Sequence, residues 1–279
     1  VTEISPKNST GSVNTVAPVL AIALNTFRET VRDRIIYALI LFAAIVTVLG
    51  IILGSLSVGQ DIRILKDIGL AAIALIGGII AVFAGTNLVY KELERRTIYI
   101  IFTKPVSGWQ FVLGKYIGLC LCVLVMVAAM GAFLAIIVAS VGGGFAGASF
   151  FDQLKEITQE LSLIYLELLF VTALATFFST FSTPVMSVLF TLAIWLAGHL
   201  GESLLELGKL SQNPFVAQFL SVIFYCLPDF AGLTRIRGHL LYGTVPGTEV
   251  LTYLITYVLA YVLMLLVLAA IVTERKEFT

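Results

Sequence analysis

Charge is scarce in this chain. Aspartate, glutamate, lysine and arginine supply 12% of its 279 residues, about half of the ~25% usual in soluble domains. The two signs cancel, 17 against 17, which argues against the basic surface that nucleic-acid binding needs. Cysteine and histidine are rarer still, three and two residues. Cys120, Cys122 and Cys226 lie inside apolar runs, with no CxxC and no Cys/His cluster. A zinc site or dithiol redox pair therefore has no ligand set, and the cysteines read as small apolar residues within helices. A phosphate-binding loop is missing too. The nearest approach, Gly108-Trp-Gln-Phe-Val-Leu-Gly114-Lys115-Tyr116, has one residue too many between its glycines. It also has tyrosine where serine or threonine would hold magnesium. No His/Asp/Glu cluster sits in any apolar run, which leaves a membrane enzyme without catalytic groups. No catalytic, cofactor-binding or metal residues are expected.

What the chain has instead is apolar length. Hydrophobic residues make up 59% of it, and the mean hydropathy is +1.04. A soluble core of this size could not hide so much apolar surface, so lipid is the expected solvent. The fold class read from the pattern is an all-α membrane protein with six transmembrane helices. The expected spans are 35–54, 68–89, 116–140, 160–181, 184–200 and 250–272, together a permease-sized domain over 35–272. Residues 1–15 are polar, lack the basic-then-apolar order of a signal peptide, and are expected to form a disordered tail. Over 16–34, Leu20, Leu24, Phe27 and Val31 recur at spacings of four, three and four, one helical stripe. Asn25, Arg28, Glu29 and Arg32 lie off it, which predicts an amphipathic helix lying flat at the membrane surface. Gly142-Gly-Gly144 stops the third span, and Phe145–Gln159 reads as an amphipathic excursion. Pro184 suits the first turn of the fifth span, where its missing N–H costs nothing. Residues 201–249 read as an extracytoplasmic or re-entrant region. The apolar run 215–227 is short and bracketed by Pro214 and Pro228, so a re-entrant or interfacial helix is expected there rather than a seventh span. Residues 273–279 form a charged tail.

Lysine and arginine set the orientation. With both ends cytoplasmic, eleven of these residues lie inside and six outside, so both termini are expected in the cytoplasm.

The most specific feature is the loop between the second and third spans. Glu92, Glu94, Arg95 and Arg96 crowd one helical turn, and the apolar run Ile98-Tyr-Ile-Ile-Phe102 follows. Lys104-Pro105 breaks any helix, and Ser107-Gly-Trp-Gln110 fits the Ser-x-x-Gln capping box of the next one. Trp109 is expected at the headgroup level. A plain positive-inside loop would carry the charges. It would not carry the apolar run, because an apolar patch beside charges in an aqueous loop means contact with a partner.

Glu94-Arg-Arg-Thr97, Lys104-Pro-Val-Ser107 and Gly114-Lys115 together resemble the cytoplasmic loop of ABC-2 type exporter permeases. Phe27-Arg-Glu-Thr-Val-Arg-Asp-Arg34 resembles their N-terminal segment. The chain is especially similar to the branch containing the permease for nitrous-oxide reductase copper-site maturation. The resemblance covers most of the chain in layout, with its sharp motifs inside residues 27–115. It implies the permease subunit of an ATP-driven exporter in a bacterial inner or plasma membrane, a transporter rather than an enzyme. The loop would hold a short cytoplasmic coupling helix docking on a separate ATPase subunit through Glu92, Glu94, Arg95, Arg96, Ile98, Ile101 and Phe102. ATP would be bound by that partner, two permease copies would pair as a homodimer, and the substrate would cross between them. The alternative class is an ATPase-independent membrane carrier or membrane assembly factor.

Glu167 is the one acid well inside a span, a possible pathway residue because an ionised group in lipid costs about 2.5–3.5 kcal/mol. His199 and His239 stand isolated in sequence. Gly50-x-x-x-Gly54 and Gly114-x-x-x-Gly118 permit close helix packing.

Overall fold

The structure, a computed structural model, describes residues 16–31, 34–54, 61–94, 107–141, 148–210, 215–218, 221, 228, 230–241 and 248–277. The longer elements are all helical: α1 Val16–Val31, α2 Arg34–Gly54, α3 Asp61–Glu94, α4 Gly108–Val141, α5 Ala148–Ser179, α6 Pro184–His199, α7 Gly201–Leu210, α8 Phe230–Leu241 and α9 Thr248–Glu277. No strand occurs among the described residues.

Four of these helices are long and apolar enough to cross a bilayer, over Ile62–Thr86, Gly108–Ser140, Phe151–Ser179 and Glu249–Arg275. Shorter apolar helical stretches occupy Leu39–Ile52 in α2 and Pro184–His199. Several helices outrun the expected spans. α3 begins at Asp61, so the residues up to Asp67 are helix rather than loop. Nothing between Asp61 and Ile68 breaks a helix, and Leu65, 1% exposed, already packs in the core. α4 starts at Gly108 rather than near 116. α5 runs unbroken from Ala148, so no separate excursion precedes the fourth span. Its buried Ile157 and Glu160 continue the inward face. α7 and α8 add helices within 201–249.

α5 is the centre of the bundle and packs against α3, α4, α6, α8 and α9, while α2 lies along α3 and α4. The buried threonine hydroxyls of the spans bond within their own helices. Thr47, Thr86, Thr172, Thr176 and Thr191 each donate to the carbonyl four residues back at 2.7–2.9 Å, which lets a polar side chain face an apolar neighbour. Two tyrosines bind α4 to α5. The Tyr116 hydroxyl donates to the Leu169 carbonyl and the Tyr165 hydroxyl to the Cys120 carbonyl, each at 3.2 Å.

α1 packs on α4, a seat that its own sequence pattern does not show, while Phe27 and Val31 of its apolar stripe are partly buried against the core. Its buried residues are Val19, Ala23, Thr26 and Thr30, whereas Leu20 is 60% and Leu24 43% exposed. The seat is Gly114-x-x-x-Gly118. A Cβ at Gly114 would stand 2.9 Å from the Val19 carbonyl oxygen, and one at Gly118 2.5 Å from that of Ala23. Backbones that close leave room at the contact for no side chain on the glycine, and Ile22 lies over Gly114 while Leu20 and Leu24 turn outward.

Candidate functional site

Two places carry the chemistry. The first is the start of α4, which follows the charged segment in sequence. The Ser107 N–H donates to Gln110 Oε1 at 3.2 Å, the reach-back half of a capping box, and the Gln110 N–H donates to the Ser107 carbonyl at 3.0 Å. Gln110 is buried while Trp109, next to it, is 41% exposed. One turn on, the chain buries a lysine: Lys115 is 1% exposed, with its Nζ 5.2 Å from the centroid of the Phe111 ring, within cation–π range. Phe111 and Val112 pack with Ala269 of α9, and Ile22 of α1 and Phe177 of α5 close the cluster. The first turns of α4 therefore touch α1, α5 and α9 at once.

On the other side of the loop, Glu92 and Glu94 belong to the last turn of α3. The helix runs on to Glu94, past the end of the expected span at Val89 by roughly 8 Å at 1.5 Å per residue. Arg95, Arg96, Ile98, Ile101 and Phe102 lie outside the described residues.

The second place surrounds Glu167 on α5, which is 1% exposed. Its Oε1 accepts a hydrogen bond from Trp195 Nε1 at 2.9 Å and lies 3.3 Å from His199 Nε2. Both partners come from α6, four residues apart on one face. The indole is wedged over Gly78 of α3, where any Cβ would collide with the ring. The His199 ring stacks on Phe230 of α8, centroids 5.6 Å apart and planes 15° apart, and meets the Trp195 ring edge-on. Phe230 in turn meets Phe170 edge-on at 5.0 Å. Glu167 thus faces the bundle interior and ties α5 to α6, α3 and α8.

Sequence reasoning named Glu167 and His199 separately and missed Trp195. The signal was the tight turn before Pro184. The Ser182 N–H donates to the Phe178 carbonyl at 3.0 Å, and Pro184 opens α6 behind Thr183 as its N-cap. In such a helical hairpin, residues equally far from the turn oppose each other. Glu167 and Trp195 are each 14 residues from Phe181.

Among the described residues no group of three or more His, Cys, Asp or Glu could hold a metal ion. A family model for ABC-2 family transporter proteins matches residues 27–198, more than half of the chain. The chain belongs to that family, as the membrane permease component of an ABC-type transporter. A comparison with curated proteins finds no match. The family match spans α2 to α6 and ends one residue before His199.

Proposed function

We propose that this chain is the permease subunit of an ATP-driven exporter, paired with a second copy of itself and driven by a separate ATPase. The observation that carries this reading is the family match over residues 27–198, which includes the charged and apolar loop between α3 and α4. ATP is bound and hydrolysed on the partner; this chain holds no cofactor. The coupling element runs from Glu92, in the last turn of α3, to Phe102, and docks through Glu92, Glu94, Arg95, Arg96, Ile98, Ile101 and Phe102. Its motion enters the bundle through the two helices that flank it. On the α4 side, the cluster of Phe111, Val112, Ile22, Phe177 and Ala269 passes a push to three other helices together. The helices then rock as packed bodies around a central path. The nitrous-oxide reductase maturation branch is the nearest functional analogue we assign. Purification of the tagged chain from its native membrane is expected to bring an ABC ATPase with it. A chain recovered alone, transporting without ATP, would replace this reading with an ATPase-independent carrier.

The topology belongs to the same proposal: six spans, with α2 and α6 completing the four long ones, in a bacterial inner or plasma membrane with both termini cytoplasmic. In a variant lacking all three cysteines, single cysteines at Ser57, Ser149 and Ser211 are expected to react with an impermeant reagent from outside, and one at Ser5 to stay protected. Labelling at Ser5 in intact cells would reverse the orientation.

Glu167 serves the pathway from inside the bundle, holding Trp195 against α3 while the helices shift. Glu167→Gln keeps an acceptor for the indole but removes the ionisable group. Transport is expected to fall while insertion and pairing persist; transport at the wild-type rate would reduce Glu167 to a packing residue.

A further inference from the structure

Both ring nitrogens of His199 face oxygen atoms. Nδ1 lies 3.0 Å from the carbonyl oxygen of Trp195, and Nε2 lies 3.3 Å from Oε1 of Glu167. A carbonyl oxygen only accepts, so the proton in the first contact belongs to Nδ1. The second contact then needs a proton of its own. Either Nε2 donates to an ionised Glu167 and the ring carries both protons, or a protonated Glu167 donates to a neutral Nε2. The remaining arrangement sets a carboxylate against the lone pair of a neutral ring, which is repulsive. Two arrangements therefore satisfy the geometry, and both hold one proton more than an ionised carboxylate and a neutral imidazole hold between them.

We propose that Glu167 and His199 form a single-proton binding site inside the bundle, and that the bound proton fastens α6 and α8 to α5. Burial supports this. Glu167 is 1% exposed, and a bare carboxylate at such a place is costly. The shared proton brings the two side chains to zero net charge. Access supports it as well, because the His199 side chain is 28% exposed against 1% for Glu167. The proton enters and leaves through the ring. When it leaves, one acceptor faces another, the ring turns away from Oε1, and its stack on Phe230 opens α8.

Among the described residues, the charged and titratable groups on the packed neighbours include these. Lys66 of α3 is paired with Glu156 of α5 at 2.7 Å. Arg63 is half-buried near the start of α3, and Asp67 is exposed there, as are Glu206 of α7 and Arg235 of α8. On α5, Glu160 lies two turns before Glu167. Lys115 of α4 lies with its Nζ over the Phe111 ring. Tyr261 of α9 packs on Phe170, and Tyr257 on Tyr261. Only the side from which the proton arrives, the extracytoplasmic one, rests on the topology proposed above. The site itself does not.

The test uses the full chain in lipid nanodiscs. The protein has two histidines and two tryptophans, so His239→Gln leaves His199 as the only histidine. Nitrogen NMR of ring-labelled histidine near neutral pH is expected to show either both ring nitrogens protonated, or Nδ1 alone protonated together with the infrared carbonyl band of a protonated acid. Both signatures should vanish in Glu167→Gln, whose ring should carry one proton. A singly protonated ring with no acid band in the unsubstituted site would overturn the proposal. The fastening is read separately. Trp109→Phe leaves Trp195 as the reporter, and its emission is expected to shift as the pH is raised until the proton leaves, with no such step in Glu167→Gln. A constant Trp195 emission across that step would refute the fastening. Neither measurement requires the ATPase or a substrate, so failure of the exporter reading would leave both results standing.

Discussion

Ile101→Asp is expected to strip the ATPase from the purified membrane complex. In the proposed docking helix, Ile98, Ile101 and Phe102 enter a groove on the ATPase, and Glu94, Arg95 and Arg96 pair at its rim. Apolar anchors at the centre of an interface carry more energy than charges at its edge. A carboxylate buried there without a partner costs on the order of several kcal/mol, which weakens binding about a hundredfold or more. Arg95→Ala is expected to weaken the complex less, mainly through the association rate and mainly at low salt. Neither change touches a span, so both variants should insert normally. Co-purification of the ATPase with the tagged permease, together with substrate-stimulated ATP hydrolysis, measures the effect. If Ile101→Asp retains both at the wild-type level, residues 92–102 are not the docking helix, and the ATPase-independent reading becomes the better one.

Gly118→Leu is expected to lift α1 off α4. Even a methyl group there would stand 2.5 Å from the Ala23 carbonyl oxygen and 2.7 Å from Thr26 Cβ. Backbone cannot yield as a flexible side chain can, and overpacking of this kind costs about 1–3 kcal/mol or more. The readout is a cysteine at Ala23, which is 3% exposed, in a chain otherwise free of cysteine. Its reaction with a small maleimide is expected to rise about tenfold to a hundredfold in Gly118→Leu. Leu20→Ala should leave it unchanged, because Leu20 faces away from the seat. Unchanged reactivity in Gly118→Leu would mean that α1 is held by something other than the glycine pair.

The apolar runs made the long helices legible in the sequence; their ends were not. Asp61–Asp67 and Ala148–Gln159 looked like loop or surface helix because they carry charge, yet a helix interrupted by no glycine or proline continues as long as one face can be buried. α1 was legible as a helix with Leu20 and Leu24 on an outer apolar stripe, but its seat was not: Ala23 and Thr26 go in against Gly118, which belongs to a helix distant in sequence. Glu167 stood out because an acid in a span demands partners. Those partners required the fold of the hairpin, since Trp195 is 28 residues away. Lys115 drew attention only as part of a family-like Gly-Lys pair. Its burial comes from α1 and α9 arriving from the two ends of the chain, which no local pattern shows.

The glycine seat also sets an order of events during synthesis. Ala23 leaves the ribosome 95 residues before Gly118, and chains are made from the N-terminus onward. For that interval α1 has nothing to sit on. The outward leucines give it a temporary home at the lipid headgroups, and the glycines then receive it once α4 has been delivered into the membrane. Helix α5 follows directly on α4, so the two tyrosine bonds between that pair can close without such a wait. α1 is thus made well before the helix that seats it, and a substitution at Gly114 or Gly118 would show itself as a docking defect in a chain whose α4 had already entered the bilayer.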